Sequence, residues 1–127
     1  MPRSDSKSVL VLDDDPSVHR FLERLLRLHG FKPRLASTVP ETVAVAESTQ
    51  IAAFILDVQL RGSESGLDVL AWLRAHPRYA SVPVLMLTGL SRLSEDEEAI
   101  IQKDHAYLFY KPEKLHLLID QLKRLVS

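Results

Sequence analysis

A short apolar run that ends on three consecutive carboxylates constrains this chain more than any other feature. Val9–Leu12 lead directly into Asp13, Asp14 and Asp15, and Pro16 follows. A continuous apolar run bounded by a break is typical of a strand that is buried on both faces. Proline fits the first turn of a helix, and the aspartate before it is a good N-cap. The stretch therefore predicts a strand, an acidic turn and a helix, with Asp13 and Asp14 at the carboxyl end of the strand.

Apolar strands and helices alternate along the rest of the chain. Further strands are predicted at Ala52–Asp57, Val82–Thr88 and Tyr107–Tyr110, with a weak one from Pro33 or Arg34 to Ala36. This alternation implies βαβ units and a parallel sheet with helices on both faces. Because crossovers are right-handed, few topologies remain. We expect an α/β, flavodoxin-like, doubly wound (βα)5 fold with a central five-stranded parallel sheet in the order 2-1-3-4-5.

Apolar periodicity and capping residues mark the helices. Gly30 is placed to end the first helix in a left-handed cap. Thr38 with Glu41 and Ser94 with Glu97 have capping-box spacing at two further helix starts. The side of the first helix that we predict to be buried holds Val18, Phe21, Leu22, Leu25 and either Leu28 or Leu26.

The composition is that of one ordinary domain. The chain has 127 residues, of which 46% are apolar and 26% charged, with a net charge of −1. Residues 1–8 form a short polar N-terminal segment, and we expect residues 9–127 to be a single domain. The absence of cysteine excludes disulfides, zinc–thiolate sites and thiolate catalysis. We expect no direct binding of nucleic acid, no membrane association and a cytoplasmic location, because the charges balance and no apolar run approaches a membrane span.

Residues with reactive or ligating side chains lie at the ends of four predicted strands. They are Asp13 and Asp14, then Asp57, Thr88 and Lys111. The carboxyl ends of parallel strands meet at one edge of the sheet, so these groups should converge. Clustered carboxylates repel one another, and Mg²⁺ would relieve that repulsion while helping an ammonium to neutralise phosphoryl oxygens. An aspartate can itself be the nucleophile, and Asp57 is the best candidate for an aspartyl-phosphate.

The ordered motifs resemble a response-regulator receiver domain of two-component signalling, similar to the chemotaxis regulators. They are Leu10-Val-Leu-Asp-Asp-Asp-Pro16, Phe54-Ile-Leu-Asp57, Leu85-Met-Leu-Thr88-Gly89 and Lys111-Pro112. The resemblance covers nearly the whole chain. It implies a phosphorylation-dependent switch in a phosphorelay, which takes its phosphoryl group from a sensor histidine kinase or a histidine phosphotransfer protein. It also allows a homodimer through the last two helix–strand units.

The resemblance implies a role for each matching residue. Asp57 would be the phosphoacceptor and a metal ligand, and Asp14 a direct ligand of Mg²⁺ or Mn²⁺. Asp13 would bind the metal through water or orient the shell around it. The backbone carbonyl of Gln59 would complete the protein ligands. Thr88 and Lys111 would each bind a phosphoryl oxygen, and Thr88 would move to do so. Such a domain promotes its own phosphoryl transfer and dephosphorylation only, so it is not an enzyme acting on another substrate.

The sequence departs from the family pattern near its end. The family usually has a switch aromatic three residues before the lysine, where this chain has Leu108. Tyr107 could take that role if the preceding segment holds an insertion, and both interpretations stay open. Leu90, two residues after Thr88, is apolar where many members carry a polar group. We expect Gln59 and Leu90 to tune dephosphorylation, with Leu90 giving a long-lived phosphoryl group.

Other functions remain as alternatives. A receiver-like interaction module with a degenerate, non-switching last strand is the first. A small phosphohydrolase is less favoured, because Gln59 stands where such an enzyme needs a general acid. The chain could be a stand-alone receiver or part of a longer protein with an output domain.

Overall fold

A single parallel sheet organises the molecule. The computed structural model describes residues 7–62, 64–89, 93–110 and 115–126. Its strands are β1 (Ser8–Leu12), β2 (Lys32–Ala36), β3 (Ala53–Asp57), β4 (Val84–Thr88) and β5 (Tyr107–Tyr110). Its helices are α1 (Pro16–Leu28), α2 (Val39–Ser48), α3 (Gly66–Ala75), α4 (Glu95–Lys103) and α5 (Leu115–Val126). All neighbouring strands are parallel, in the order β2-β1-β3-β4-β5. The prediction of a flavodoxin-like sheet in this order is confirmed.

Strand register brings the predicted reactive residues to one edge of the sheet. Leu12, the last residue of β1, pairs with Leu56, so the turn after β1 lies beside the end of β3. In the neighbouring pair, Asp57 is level with Leu87, and Thr88 therefore lies one residue farther along. Because all strands run the same way, Asp13, Asp14, Asp57 and Thr88 share the carboxyl edge.

The sheet is buried on both faces, because alternate residues of each strand point to opposite sides. One face carries Leu10, Leu12, Phe54 and Leu56, and packs against a layer that includes residues of α2, α3 and α4. The opposite face packs against residues of α1 and α5, and its strand residues include Val9, Val11, Ile55, Leu85 and Leu87. Among the described residues, no helix is long and apolar enough to cross a membrane.

The start and end of α1 match the prediction, but its buried side is only partly as expected. The Asp15 side chain accepts a hydrogen bond from the backbone N–H of Ser17 at 2.8 Å. Gly30 follows the helix with φ of 86°. Leu22 and Leu26 are buried, which settles the choice between Leu26 and Leu28. The prediction for Phe21 was wrong. Phe21 and Leu28 are 47% and 78% exposed, because these i and i+7 positions lie at the border of the apolar stripe.

The two capping boxes differ in completeness. Ser94 and Glu97 bond reciprocally at the start of α4, as predicted. At the start of α2, Thr38 accepts from the Glu41 N–H at 3.2 Å. The Glu41 carboxylate accepts from the N–H of Ser37 instead of Thr38, at 2.7 Å, so the second half of that box was predicted one residue too late.

Candidate functional site

Three carboxylates converge at the carboxyl edge of the sheet. Asp13 and Asp14 follow β1, and Asp57 ends β3. One carboxylate oxygen from each residue lies within 4.8 Å of the other two. Asp13 has no exposed surface and Asp57 is 4% exposed, whereas the Asp14 side chain is 24% exposed. A cluster of this kind concentrates negative charge where little water can screen it.

The turn after β1 fixes the Asp13 carboxylate. Asp13 Oδ1 accepts from the backbone N–H of Asp15 at 2.9 Å, while Asp15 caps α1. The Asp13 N–H donates to the carbonyl oxygen of Ala36 at 3.1 Å, which extends the pairing of β1 with β2 past the strand end. The acidic turn is therefore held by the local capping that the Asp-Pro sequence predicts.

Asp14 makes contact with the loop that follows β3. Its Oδ2 accepts from the backbone N–H of Arg61 at 2.9 Å, and the Arg61 Nε lies 3.7 Å from the same oxygen. The Arg61 side chain is 88% exposed, so its charge is well screened by water. The backbone hydrogen bond orients Asp14, and the guanidinium adds only a weak attraction.

Close approach of α3 to β3 positions Asp57. A Cβ built on Gly66 would collide with the carbonyl oxygen of Asp57 and would lie 3.2 Å from the Leu56 Cβ. Only glycine allows the helix to start this near the strand end. The Asp57 Oδ1 accepts from the N–H of Gln59 at 3.3 Å.

The loop between β3 and α3 is tied at both ends. Gln59 and Ser65 form an isolated antiparallel bridge, and the Ser65 Oγ donates to the carbonyl of Val58 at 2.8 Å. Ser65 also caps α3 in a complete capping box with Asp68, which was not predicted although the two residues have capping-box spacing. The Glu64 carboxylate accepts from the N–H of Val39 at 3.2 Å and so caps α2 across the site.

Thr88 is joined to the same loop through Gln59. Thr88 has no exposed surface, and its Oγ1 donates to Gln59 Oε1 at 2.9 Å. The Gln59 Nε2 is buried and has no hydrogen-bond partner among the described residues. The sequence pointed to the Gln59 carbonyl and to a tuning role, but it gave no sign of this side-chain contact.

The predicted site residues are only partly within the described part of the chain. Lys111 and Leu90 lie outside the described residues. Of the two switch candidates, Leu108 packs against the core on the α3 and α4 side, whereas Tyr107 is 41% exposed. Their neighbour Tyr110 lies opposite Thr88 in the register of β4 and β5.

The donor set fits a hard divalent cation. Mg²⁺ prefers carboxylate, carbonyl and water oxygens, and it usually binds through one or two carboxylates. Asp13, Asp14 and Asp57 offer such oxygens close together, and two of the three are buried. Burial distinguishes this cluster from the solvated acidic groups that are common on protein surfaces.

Comparison with known proteins identifies the family. The family model described as "Response regulator receiver domain" matches residues 9–123. The chain belongs to this family. It is a receiver domain of a response regulator, and such domains are signalling switches of two-component systems.

One relative with a similar sequence is also described as a response regulator. An NtrX-like response regulator of Rickettsia typhi is 32% identical over 117 residues, which are 91% of this chain and 24% of that protein. The receiver domain thus spans about a quarter of the length of that relative.

Solved structures share the fold. The chemotaxis protein CheY4 of Vibrio cholerae superposes with a TM-score of 0.83 at 24% identity, covering 94% of this chain and 98% of that one. A Burkholderia pseudomallei response regulator, solved with a phosphorylated aspartic acid, calcium ion and citrate, has a TM-score of 0.75 at 26% identity. That match covers 96% of the receiver domain and 67% of the other chain.

Proposed function

We propose that this receiver domain is phosphorylated on Asp57 in a Mg²⁺-dependent reaction, and that the phosphoryl group comes from a phosphohistidine of a sensor histidine kinase or histidine phosphotransfer protein. The observation that carries the proposal is the convergence of Asp13, Asp14 and Asp57, with ligating oxygens within 4.8 Å of one another at the ends of two parallel strands. We assign Asp57 as the acceptor because it is the last residue of β3 and lies beside the start of α3, whereas Asp13 and Asp14 lie in the turn after β1.

The transfer exchanges one bond to phosphorus for another. A carboxylate oxygen of Asp57 attacks phosphorus, the phosphorus–nitrogen bond to the histidine breaks, and its electron pair stays on the imidazole nitrogen. Asp13, Asp14, Asp57 and the Gln59 carbonyl would hold the cation. When bound, Mg²⁺ offsets the negative charge that would otherwise keep an anionic phosphoryl group away from these carboxylates.

Thr88 and Lys111 complete the proposed site. The Thr88 hydroxyl, at the end of the neighbouring strand, donates to one phosphoryl oxygen, and the Lys111 ammonium pairs with another. The change at Thr88 passes to β5 through Leu108 or Tyr107, since β5 is the direct neighbour of β4. The phosphorylated aspartic acid of the Burkholderia pseudomallei neighbour supports this chemistry for the shared fold.

The test is phosphorylation with a small-molecule donor. Acetyl phosphate with Mg²⁺ should add one phosphoryl group, measured by intact mass and located at Asp57 by peptide mass spectrometry after borohydride trapping. Chelation should stop the reaction, and Mn²⁺ should restore it. Asp57→Asn should abolish the adduct, because an amide oxygen is a poor nucleophile. Asp120→Asn, at an exposed position on α5, is the matched control and should react like the parent protein. A parent protein that accepts no phosphoryl group, or one that carries it elsewhere than Asp57, contradicts the proposal.

A further inference from the structure

The Gln59 side chain accepts a hydrogen bond from Thr88, the residue proposed to move when Asp57 is phosphorylated. Thr88 Oγ1 donates to Gln59 Oε1 at 2.9 Å, across 29 positions of the sequence. The backbone N–H of Gln59 donates to Asp57 Oδ1 at 3.3 Å. Gln59 therefore contacts both the proposed acceptor and the proposed switch residue.

We propose that Gln59 is a positioning residue that holds the Thr88 hydroxyl in its resting orientation, so that phosphorylation of Asp57 must break the Gln59–Thr88 bond. This inference rests on the proposed function. A threonine hydroxyl carries a single hydrogen. Donation to Gln59 Oε1 and donation to a phosphoryl oxygen therefore compete for the same proton.

Gln59 is anchored, so it does not follow Thr88. Its backbone forms the antiparallel bridge to Ser65, and the Ser65 Oγ bonds to the carbonyl of the preceding residue, Val58. Ser65 is in turn fixed as the cap of α3. A rotation of Thr88 towards Asp57 consequently separates it from an acceptor whose backbone stays in place.

The nitrogen of the same Gln59 amide makes the resting arrangement less favourable. Gln59 Nε2 is buried without a hydrogen-bond partner among the described residues. A buried donor without an acceptor loses its hydration and gains nothing in return. In the resting arrangement the amide therefore holds the Thr88 hydroxyl through its oxygen, while its nitrogen has no hydrogen-bond partner among the described residues.

The first test measures Thr88 itself in protein without metal or phosphoryl donor. Three-bond couplings to the ¹³C-labelled Thr88 methyl group report its side-chain rotamer. The parent protein should show one rotamer, and Gln59→Met, which keeps the side-chain length but has no amide, should show averaging. Gln59→Asn keeps the amide but is one methylene too short to make the 2.9 Å hydrogen bond with Thr88, so it should show the same averaging as Gln59→Met. Gln102→Met, on the exposed side of α4, is the matched control and should leave the couplings unchanged.

The second test measures the balance between resting and active states. With Mg²⁺ present, Gln59→Met should bind beryllofluoride, a phosphoryl mimic, about fivefold more tightly, as expected for removing one ordinary hydrogen bond from the resting state. In a Thr88→Val background the same change should have no such effect, because no hydroxyl remains to be held.

Three outcomes separate the possibilities. A parent protein that binds beryllofluoride, together with unchanged Thr88 couplings in both Gln59 variants, overturns the role of Gln59 and leaves the proposed function intact. An equal gain in affinity with and without the Thr88 hydroxyl also overturns it. A parent protein that neither binds beryllofluoride nor accepts a phosphoryl group contradicts the proposed function, and the inference fails with it.

Discussion

Removal of one buried hydroxyl group should weaken the fold measurably without touching the acidic cluster. Tyr79 is fully buried, and its ring packs edge-on against Phe54 with centroids 5.2 Å apart. Its hydroxyl oxygen lies 2.7 Å from the carbonyl oxygen of Ala46 and 3.0 Å from that of Thr49, which share its one hydrogen, and it accepts from the N–H of Ile51 at 3.3 Å. This single oxygen thus fixes the connection between α2 and β3.

The magnitude follows from what Tyr79→Phe leaves behind. The ring and its packing remain, so there is no cavity term. The Ala46 carbonyl keeps a hydrogen bond from Arg78 at 3.2 Å, but Ile51, which is 1% exposed, is left with an unpaired N–H. One lost network bond and one buried unsatisfied donor together should lower the free energy of unfolding by about 2–3 kcal/mol. For a chain of this length, that corresponds to a fall in Tm of about 7–11 °C.

Urea unfolding followed by circular dichroism measures the change. Tyr107→Phe is the matched control, because the Tyr107 side chain is 41% exposed and its hydroxyl has no partner among the described residues. That control should stay within about 0.5 kcal/mol of the parent. Labelling of Asp57 by acetyl phosphate should be unchanged in Tyr79→Phe, since the α2–β3 connection enters the sheet at the opposite edge. If Tyr79→Phe and Tyr107→Phe prove equally stable, the reasoning about Ile51 is refuted.

Three further substitutions test the packing of Gly66 at the site, the backbone conformation of His105 and the hydrogen bonds of Arg74. Gly66→Ala should slow phosphorylation of Asp57 by acetyl phosphate at least tenfold, because the new Cβ would displace the carbonyl of Asp57. Gly89→Ala is the control in the same labelling assay and should react like the parent protein, because nothing lies within 4 Å of its new Cβ. His105→Gly should raise the free energy of unfolding by about 1 kcal/mol, measured by urea unfolding. His105 has φ of 58°, a left-handed conformation that glycine adopts without the steric penalty of a Cβ. His105→Ala keeps the Cβ and should give no such gain. Arg74→Met should lower the free energy of unfolding by about 2 kcal/mol, because Nε and Nη1 of Arg74 lie 2.8–3.4 Å from four backbone carbonyl oxygens, which share their three hydrogens. Full recovery in Arg74→Lys would contradict that account, since a single ammonium nitrogen cannot replace both Nε and Nη1.

The elements of the fold could be predicted because they are specified by local patterns. The apolar runs before Asp13, Asp57 and Thr88 predicted three strands, and Asp15 with Pro16 predicted the start of α1. The alternation of strands and helices then left one natural sheet order. Parallel direction alone places the ends of those strands at one edge, so the convergence of the carboxylates followed from the sequence.

The side of α1 that is buried was harder to predict. Periodicity marks a stripe of apolar residues but not its borders, and Phe21 and Leu28 lie just beyond the part that the sheet covers. The choice of Leu26 required the position of α1 over the sheet, which depends on β1, β2 and α5 together.

Only the tertiary structure decided how the loops join the site. The Arg61 N–H reaches Asp14 across 47 positions, Thr88 reaches Gln59 across 29, and Glu64 caps α2 across 25. These contacts depend on the path of the loop after β3, which has no periodic pattern to reveal it. The three aspartates could therefore be assigned to a site from the strands that carry them, whereas the bond that restrains Thr88 appears only when that loop is folded against β4.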